Sequence, residues 1–206
     1  MQRVRVLRFA ELPVMPWKNG LGVTRELVSV GGSAEGEFGW RLSMAEIGVD
    51  APFSMYAGIE RHLAVVAGGP LELVVEGTAR RIEIGGVETF AGGATVSARP
   101  LKQPVTDLNL MVDTTKWSGS LAAVSAFMSL RAAASVAVLA LRDAVTVRLT
   151  DADGSRQDFA LDALDCLLAD GAVALSIENA AEGTLTRSVA MLVGVDPRIS
   201  DGVMSG

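Results

Sequence analysis

Residues Val105–Asp113 read VTDLNLMVD, and their side chains alternate. Leu108, Leu110 and Val112 fall on one face of an extended strand, and Val105, Asp107, Asn109 and Met111 on the other. The same period of two runs outward through the chain. Towards the N-terminus it appears in QRVRVLRF (2–9), VTRELVSV (23–30) and WRLSMAEI (40–47), and later in AVTVRLT and TRSVAMLVGV. Glycine pairs at Gly31-Gly32, Gly68-Gly69, Gly85-Gly86 and Gly92-Gly93 break these segments, and TDADGS (150–155) has the Asp-Gly of a hairpin turn. The pattern predicts an all-β chain. SLAAVSAFMSLRAAASVAV is ambiguous, because its alanines favour helix and its valines and serines do not. So many short strands would overfill one small barrel, so two β-barrels side by side, joined near residues 113–120, are expected. The chemistry is expected in the first half, which holds most of the aromatic and unusual polar residues.

Composition narrows the function. The chain has 206 residues, 50% hydrophobic and 20% charged, which suits a folded chain with a real core. Its net charge of −6 argues against nucleic acid as a partner, since phosphate contacts need a basic surface. The single cysteine, Cys166, lies in an apolar run and reads as a small core residue. The start alternates apolar and charged residues without a signal-peptide core, and no apolar run is long enough to span a bilayer. From these features a cytoplasmic location, away from membranes, is expected. One histidine, His62, and one cysteine do not make an ordinary transition-metal site, so no metal and no cofactor is expected. His62 is read as opening a strand, with its ring satisfied by a neighbour. No nucleophile elbow and no phosphate-binding glycine loop is present.

What stands out is small polar residues on strand faces that also carry Ala, Val and Met. Arg41, Ser43 and Ala45 share a face; so do Thr24 and Glu26, and so do Asp107 and Asn109. That mixture suits a half-buried cavity with a few placed hydrogen-bonding groups, or a polar network bracing a barrel mouth. Before the first of these strands comes MPWKNGLGVTREL (15–27). Pro16 fixes the entry to the turn, Asn19 and Gly20 tolerate positive φ, and Gly22 permits close backbone approach. Trp17 offers a flat apolar wall and Lys18 a positive charge. The candidate ligand-binding set is therefore Trp17, Lys18, Asn19, Thr24, Glu26, Arg41, Ser43, Arg61, Asp107 and Asn109, with Phe53 and Tyr56 on the apolar rim. Arg61 could bind an anion or pair with Glu60 or Asp107.

PWKNGLGVTREL, WRLSMAEI, FSMYAGIERHLAVVAGG (53–69) and VTDLNLMVD occur in the order and spacing of the HutD/Ves family, which residues 13–112 resemble. The resemblance implies a cupin-like bicupin, with barrels over 1–115 and 116–206. It also implies an association with bacterial histidine utilisation and a regulatory role with urocanate-type ligands. It brings no established catalytic activity. Metal-dependent cupins use about three histidines and a glutamate, which one histidine cannot supply, so the resemblance implies a metal-free member. The leading expectation is a regulatory protein binding a planar carboxylic acid of the urocanate or formylurocanate type. The acid's carboxylate would meet Arg41, Lys18 or Arg61, and its ring N–H would meet Asp107 or Glu26. The alternatives are a metal-independent enzyme on a small acid, with Glu26 or Asp107 as base and Lys18 or Arg41 stabilising an anion, and a pure interaction module. Exposed strand edges leave room for a homodimer.

Overall fold

The alternating segments form strands throughout. The computed structural model describes residues 3–32, 37–125, 128–131, 133–171, 174–179 and 188–198. The first half contributes β1 (Arg3–Leu7), β2 (Met15–Pro16), β3 (Gly22–Val30), β4 (Trp40–Ile47), β5 (Ala51–Pro52), β6 (Ile59–Ala67), β7 (Leu71–Val75), β8 (Thr78–Ile82), β9 (Val87–Ala91), β10 (Val96–Pro100) and β11 (Val105–Asp113). The second contributes β12 (Trp117–Ser125), β13 (Met128–Arg131), β14 (Ser135–Ala140), β15 (Val145–Thr150), β16 (Arg156–Leu161), β17 (Cys166–Asp170), β18 (Ala174–Asn179) and β19 (Ser188–Pro197). Among the described residues there is no α-helix, only a 3-10 turn at Phe9–Glu11. The ambiguous alanine-rich stretch falls in β12, β13 and β14, with Ala133 and Ala134 outside any strand, and none of its described residues is helical. The Asp-Gly turn joins β15 to β16 as a hairpin, with Thr150 paired to Arg156.

These strands make four sheets, in the orders β5-β10-β7-β8, β2-β3-β4-β11-β6-β9, β1-β17-β14-β19-β12 and β13-β18-β15-β16. Each is open; among the described residues no sheet closes on itself as a barrel. Three apolar layers lie between them. Leu63, Val65, Leu71, Leu73 and Val96 fill the space between the first two sheets. Leu42, Met44, Leu108, Leu110, Leu139 and Met191 join the six- and five-stranded sheets. Val138, Val147, Leu161, Leu167 and Ile177 fill the last space. Each leucine removed wholly from water contributes roughly 1.5–3 kcal/mol before the entropy cost of ordering it.

The alternation in β11 is resolved by this layering. Leu108, Leu110 and Val112 enter the middle layer, while Val105, Asp107, Asn109 and Met111 turn towards the first four-stranded sheet. The chain also crosses between halves. β1 pairs with β17, so the first strand lies in a sheet otherwise built from strands after residue 116. Val4 and Val6 pack into the outer layer of the second half and Leu7 into the middle one. Arg8 and Asp165 hold this crossing: the guanidinium donates to Oδ2 at 2.6 Å, and the Phe9 N–H donates to Oδ1 at 2.9 Å.

A candidate anion cavity on the six-stranded sheet

Strand register sets the site out in rows. Thr24, Ala45, Asp107 and Val65 stand side by side across β3, β4, β11 and β6. The next row is Glu26, Ser43, Asn109 and Leu63, and the next Arg41, Met111, Arg61 and Phe90. A bulge at Leu27 shifts β3 after Glu26, so Leu27 and Val28 both face the middle core. The face is apolar towards Ile47 and Val105 and becomes polar towards Arg41 and Arg61. There the sheet borders a cavity of about 550 Å³, the size of a small-molecule site.

The Trp17–Gly22 turn forms one lip. Trp17 N–H donates to Gly22 O at 2.9 Å and Gly20 N–H to Trp17 O at 3.0 Å. Gly20 has φ +72°, as expected, whereas Asn19 contributes differently: its Oδ1 accepts the Leu21 N–H at 3.1 Å. A Cβ on Gly22 would lie 2.6 Å from Glu46 O and 3.0 Å from the Trp17 ring, so this approach needs glycine. The half-buried indole donates from Nε1 to Thr24 Oγ1 at 2.8 Å, which fixes the ring as a wall. Pro52, Phe53, Ser54 and Tyr56 form the opposite lip.

Of the ten candidate residues, Trp17, Lys18, Asn19, Thr24, Arg41, Ser43, Arg61 and Asn109 line this one cavity, as do Phe53 and Tyr56. Glu26 and Asp107 are not among the lining residues. Glu26 is drawn to Arg41, whose Nε donates to Glu26 Oε2 at 2.8 Å. Asp107 is fully buried; its Oδ1 accepts the Ala45 N–H at 3.3 Å, and its Oδ2 has no partner among the described residues. Burial pushes the Asp107 pKa up to about 7, against the pull of the Arg61 charge.

Arg61 is the unusual group. It is 3% exposed, with Cζ 4.6 Å from the Phe53 ring centre and 5.3 Å from that of Phe90. Nη1 donates to Ser54 O at 3.3 Å, while Nε has no partner among the described residues. Glu60, one expected partner, instead meets His62 Nε2 at 3.1 Å, and Thr89 Oγ1 meets Nδ1 at 2.9 Å, so the histidine is satisfied by neighbours. Burial lowers the Arg61 pKa and the Asp107 charge opposes that, but a guanidinium stays protonated. Asn109 Oδ1, also buried, lacks a partner too. The cavity wall thus holds a desolvated guanidinium, and two polar atoms buried within that wall, Arg61 Nε and Asn109 Oδ1, have no partner among the described residues, a chemistry that suits a small acid carrying a hydrogen-bond donor once the wall adjusts to it. Ser54 contributes through its backbone carbonyl, a role that leaves no side-chain signal in the sequence.

Among the described residues no group of three or more His, Cys, Asp or Glu could hold a metal ion. Cys166 is buried in the middle core, and burial pushes its thiol up to about 12. No described helix is long and apolar enough to cross a membrane.

Comparison with known proteins agrees with the resemblance seen in the motifs. The family model described as HutD matches residues 9–186. An uncharacterized 21.2 kDa protein in the hutC 3' region of Pseudomonas putida is 37% identical over 112 residues, 54% of this chain and 59% of that protein. Protein Ves of Citrobacter koseri is 36% identical over 108 residues, 49% of this chain and 53% of its own length. The chain spans a little over half the length of these curated relatives. Among solved structures, HutD from Pseudomonas fluorescens SBW25 superposes with a TM-score of 0.79 at 29% identity, over 96% of this chain and 100% of that one. A cupin 2 conserved barrel domain protein from Leptotrichia buccalis has a TM-score of 0.56 at 11% identity, over 94% and 96% of the two chains. That likeness shows a cupin-like fold and nothing of function.

Proposed function

Since the chain belongs to the HutD family, we propose that it binds a small planar carboxylic acid of the urocanate or formylurocanate type, in a regulatory role in histidine utilisation. One observation carries this reading: Arg61 is buried between two phenylalanines at the cavity with an unpartnered Nε–H. A buried guanidinium without its full set of acceptors is costly, and a carboxylate at the cavity supplies the counter-charge, through whichever N–H groups of Arg61 face it. Trp17 gives the acid a flat wall, Lys18 adds positive charge at the lip, and Asn109 stands in the wall with an amide oxygen that a small side-chain rotation turns to the acid's N–H. The name of the Pseudomonas putida relative supports the link to histidine utilisation. We read the two outer sheets, each packed on its central partner, as two cupin-like halves of a bicupin, over 1–115 and 116–206, with β1 exchanged into the second.

A thermal-shift screen of urocanate, formylurocanate and other small acids tests the binding. An acid at 100 times its Kd stabilises by about 2.7 kcal/mol. Absence of a shift with every acid in the panel overturns the reading. The second reading, a metal-independent enzyme, draws on Asp107, which burial holds near neutrality, but needs Ala45 and Asn109 of the cavity wall to give way before that carboxyl reaches a substrate. Proton NMR of each acid incubated with the protein separates the two, since only an enzyme consumes its ligand.

A further inference from the structure

Asp107 is wholly buried behind two residues of the cavity wall, Ala45 and Asn109. Its row across the sheet, Thr24, Ala45 and Val65, is uncharged, and the layer between this sheet and the facing one is filled by apolar side chains such as Leu71, Leu73, Val96 and Ala98. The charge that reaches it is that of Arg61. The other charged and titratable groups nearby act elsewhere: Glu26 is bound to Arg41, Glu46 to Arg25, Arg41 and Tyr56 act on Arg61, and Lys18 is exposed at the lip. A ligand carboxylate at Arg61 therefore places a second anion on the one cation that steadies Asp107. Two carboxylates sharing a site in apolar surroundings do not both stay ionised.

We propose that the cavity takes up its acid anion together with one proton from solvent, and that the proton is held on Oδ2 of Asp107, the oxygen without a partner. Occupancy then depends on pH as well as on ligand concentration. The coupling rests on the acid-binding reading above, and adds to it a regulation of the same site. Because burial has already pushed Asp107 up to about 7, the coupling falls in the neutral range. Below that value Asp107 is protonated with or without ligand, and affinity is flat. Above it, affinity falls by about tenfold per pH unit until the pKa of the occupied site is reached.

Carbon-13 NMR of the aspartate carboxyls from pH 5 to 9 tests this, with the Asp107 signal assigned by its loss in Asp107→Asn. Cinnamate serves as probe, being a planar acid with no second titrating group in this range. The expected results are a midpoint near 7 without ligand, a higher midpoint with cinnamate bound, and a higher midpoint in Arg61→Gln. Calorimetry at pH 8 in two buffers of different ionisation enthalpy should read about one proton taken up per cinnamate bound. An unliganded midpoint in the ordinary carboxylate range overturns the coupling. So does bound cinnamate that leaves the midpoint unmoved, although acid binding then stands. Spectra that no acid perturbs, from cinnamate to urocanate, overturn the binding reading and the coupling with it. If Arg61→Gln does not fold, the wild-type titration with and without cinnamate decides alone.

Discussion

The guanidinium carbon of Arg61 lies 4.6 Å from the centre of the Phe53 ring. The contact orients a cation that strand β6 places on the cavity face and that the protein leaves partly unsatisfied. Stacking of this kind holds the planar group in place without consuming its N–H donors. Arg41, on the same row, is held differently, because Glu26 already accepts from it.

That difference predicts the effect of Glu26→Gln. Removing the carboxylate frees Arg41 for a ligand anion. A partly exposed ion pair contributes about 0.2–1 kcal/mol, so acid affinity should rise by up to about fivefold. Calorimetry of one acid with both proteins reads the change, and weaker binding in the variant would count against two cations facing the ligand.

Gly22→Ala should destabilise the protein by about 1–3 kcal/mol, because its new methyl has Glu46 O and the Trp17 ring in its way. Gly20→Ala meets no atom within 4 Å but must hold φ +72°, costing about 1–2 kcal/mol. Urea denaturation measures both. Only Gly22→Ala should also change the environment of Trp17, read as a shifted tryptophan emission.

Asp107 predicts an unusual stability profile. Its folded pKa, about 7, lies above the ordinary 3.8. Between those values the folded state holds a proton that the unfolded state has released, so rising pH lowers stability through this group. The loss is on the order of 4 kcal/mol between pH 4 and 8. Asp107→Asn does not titrate, so its stability relative to wild type should climb by that amount across the window. Parallel denaturation profiles for the two proteins would show that Asp107 titrates alike in the folded and unfolded states.

Much of this architecture was legible because strand alternation is a local signal. In VTDLNLMVD the period of two separated the middle-core leucines from Asp107 and Asn109, and the same parity aligned Arg41 with Ser43. What could not be read depends on distant pairing. Val4 and Val6 mark a strand, but nothing local says that its partner is β17, more than 150 residues away. Glu26 shares its row with Ser43, yet its carboxylate goes to Arg41, a choice made by a side chain rather than by parity. Asp107 has the right face but stands next to Val65 at the end of its row that apolar packing seals, while Thr24 and Ala45 at the other end line the cavity. Ser54 works through its carbonyl, which any residue would supply.

Titration calorimetry of urocanate into wild type and Arg61→Gln, at pH 6.5, tests the central claim most directly. A charge-assisted hydrogen-bonded contact contributes about 1.5–3 kcal/mol, so the wild type should bind one urocanate per chain and the variant roughly 10- to 100-fold more weakly. Circular dichroism confirms that the variant is folded. Equal affinity in the two proteins would contradict Arg61 as the anchor of the acid.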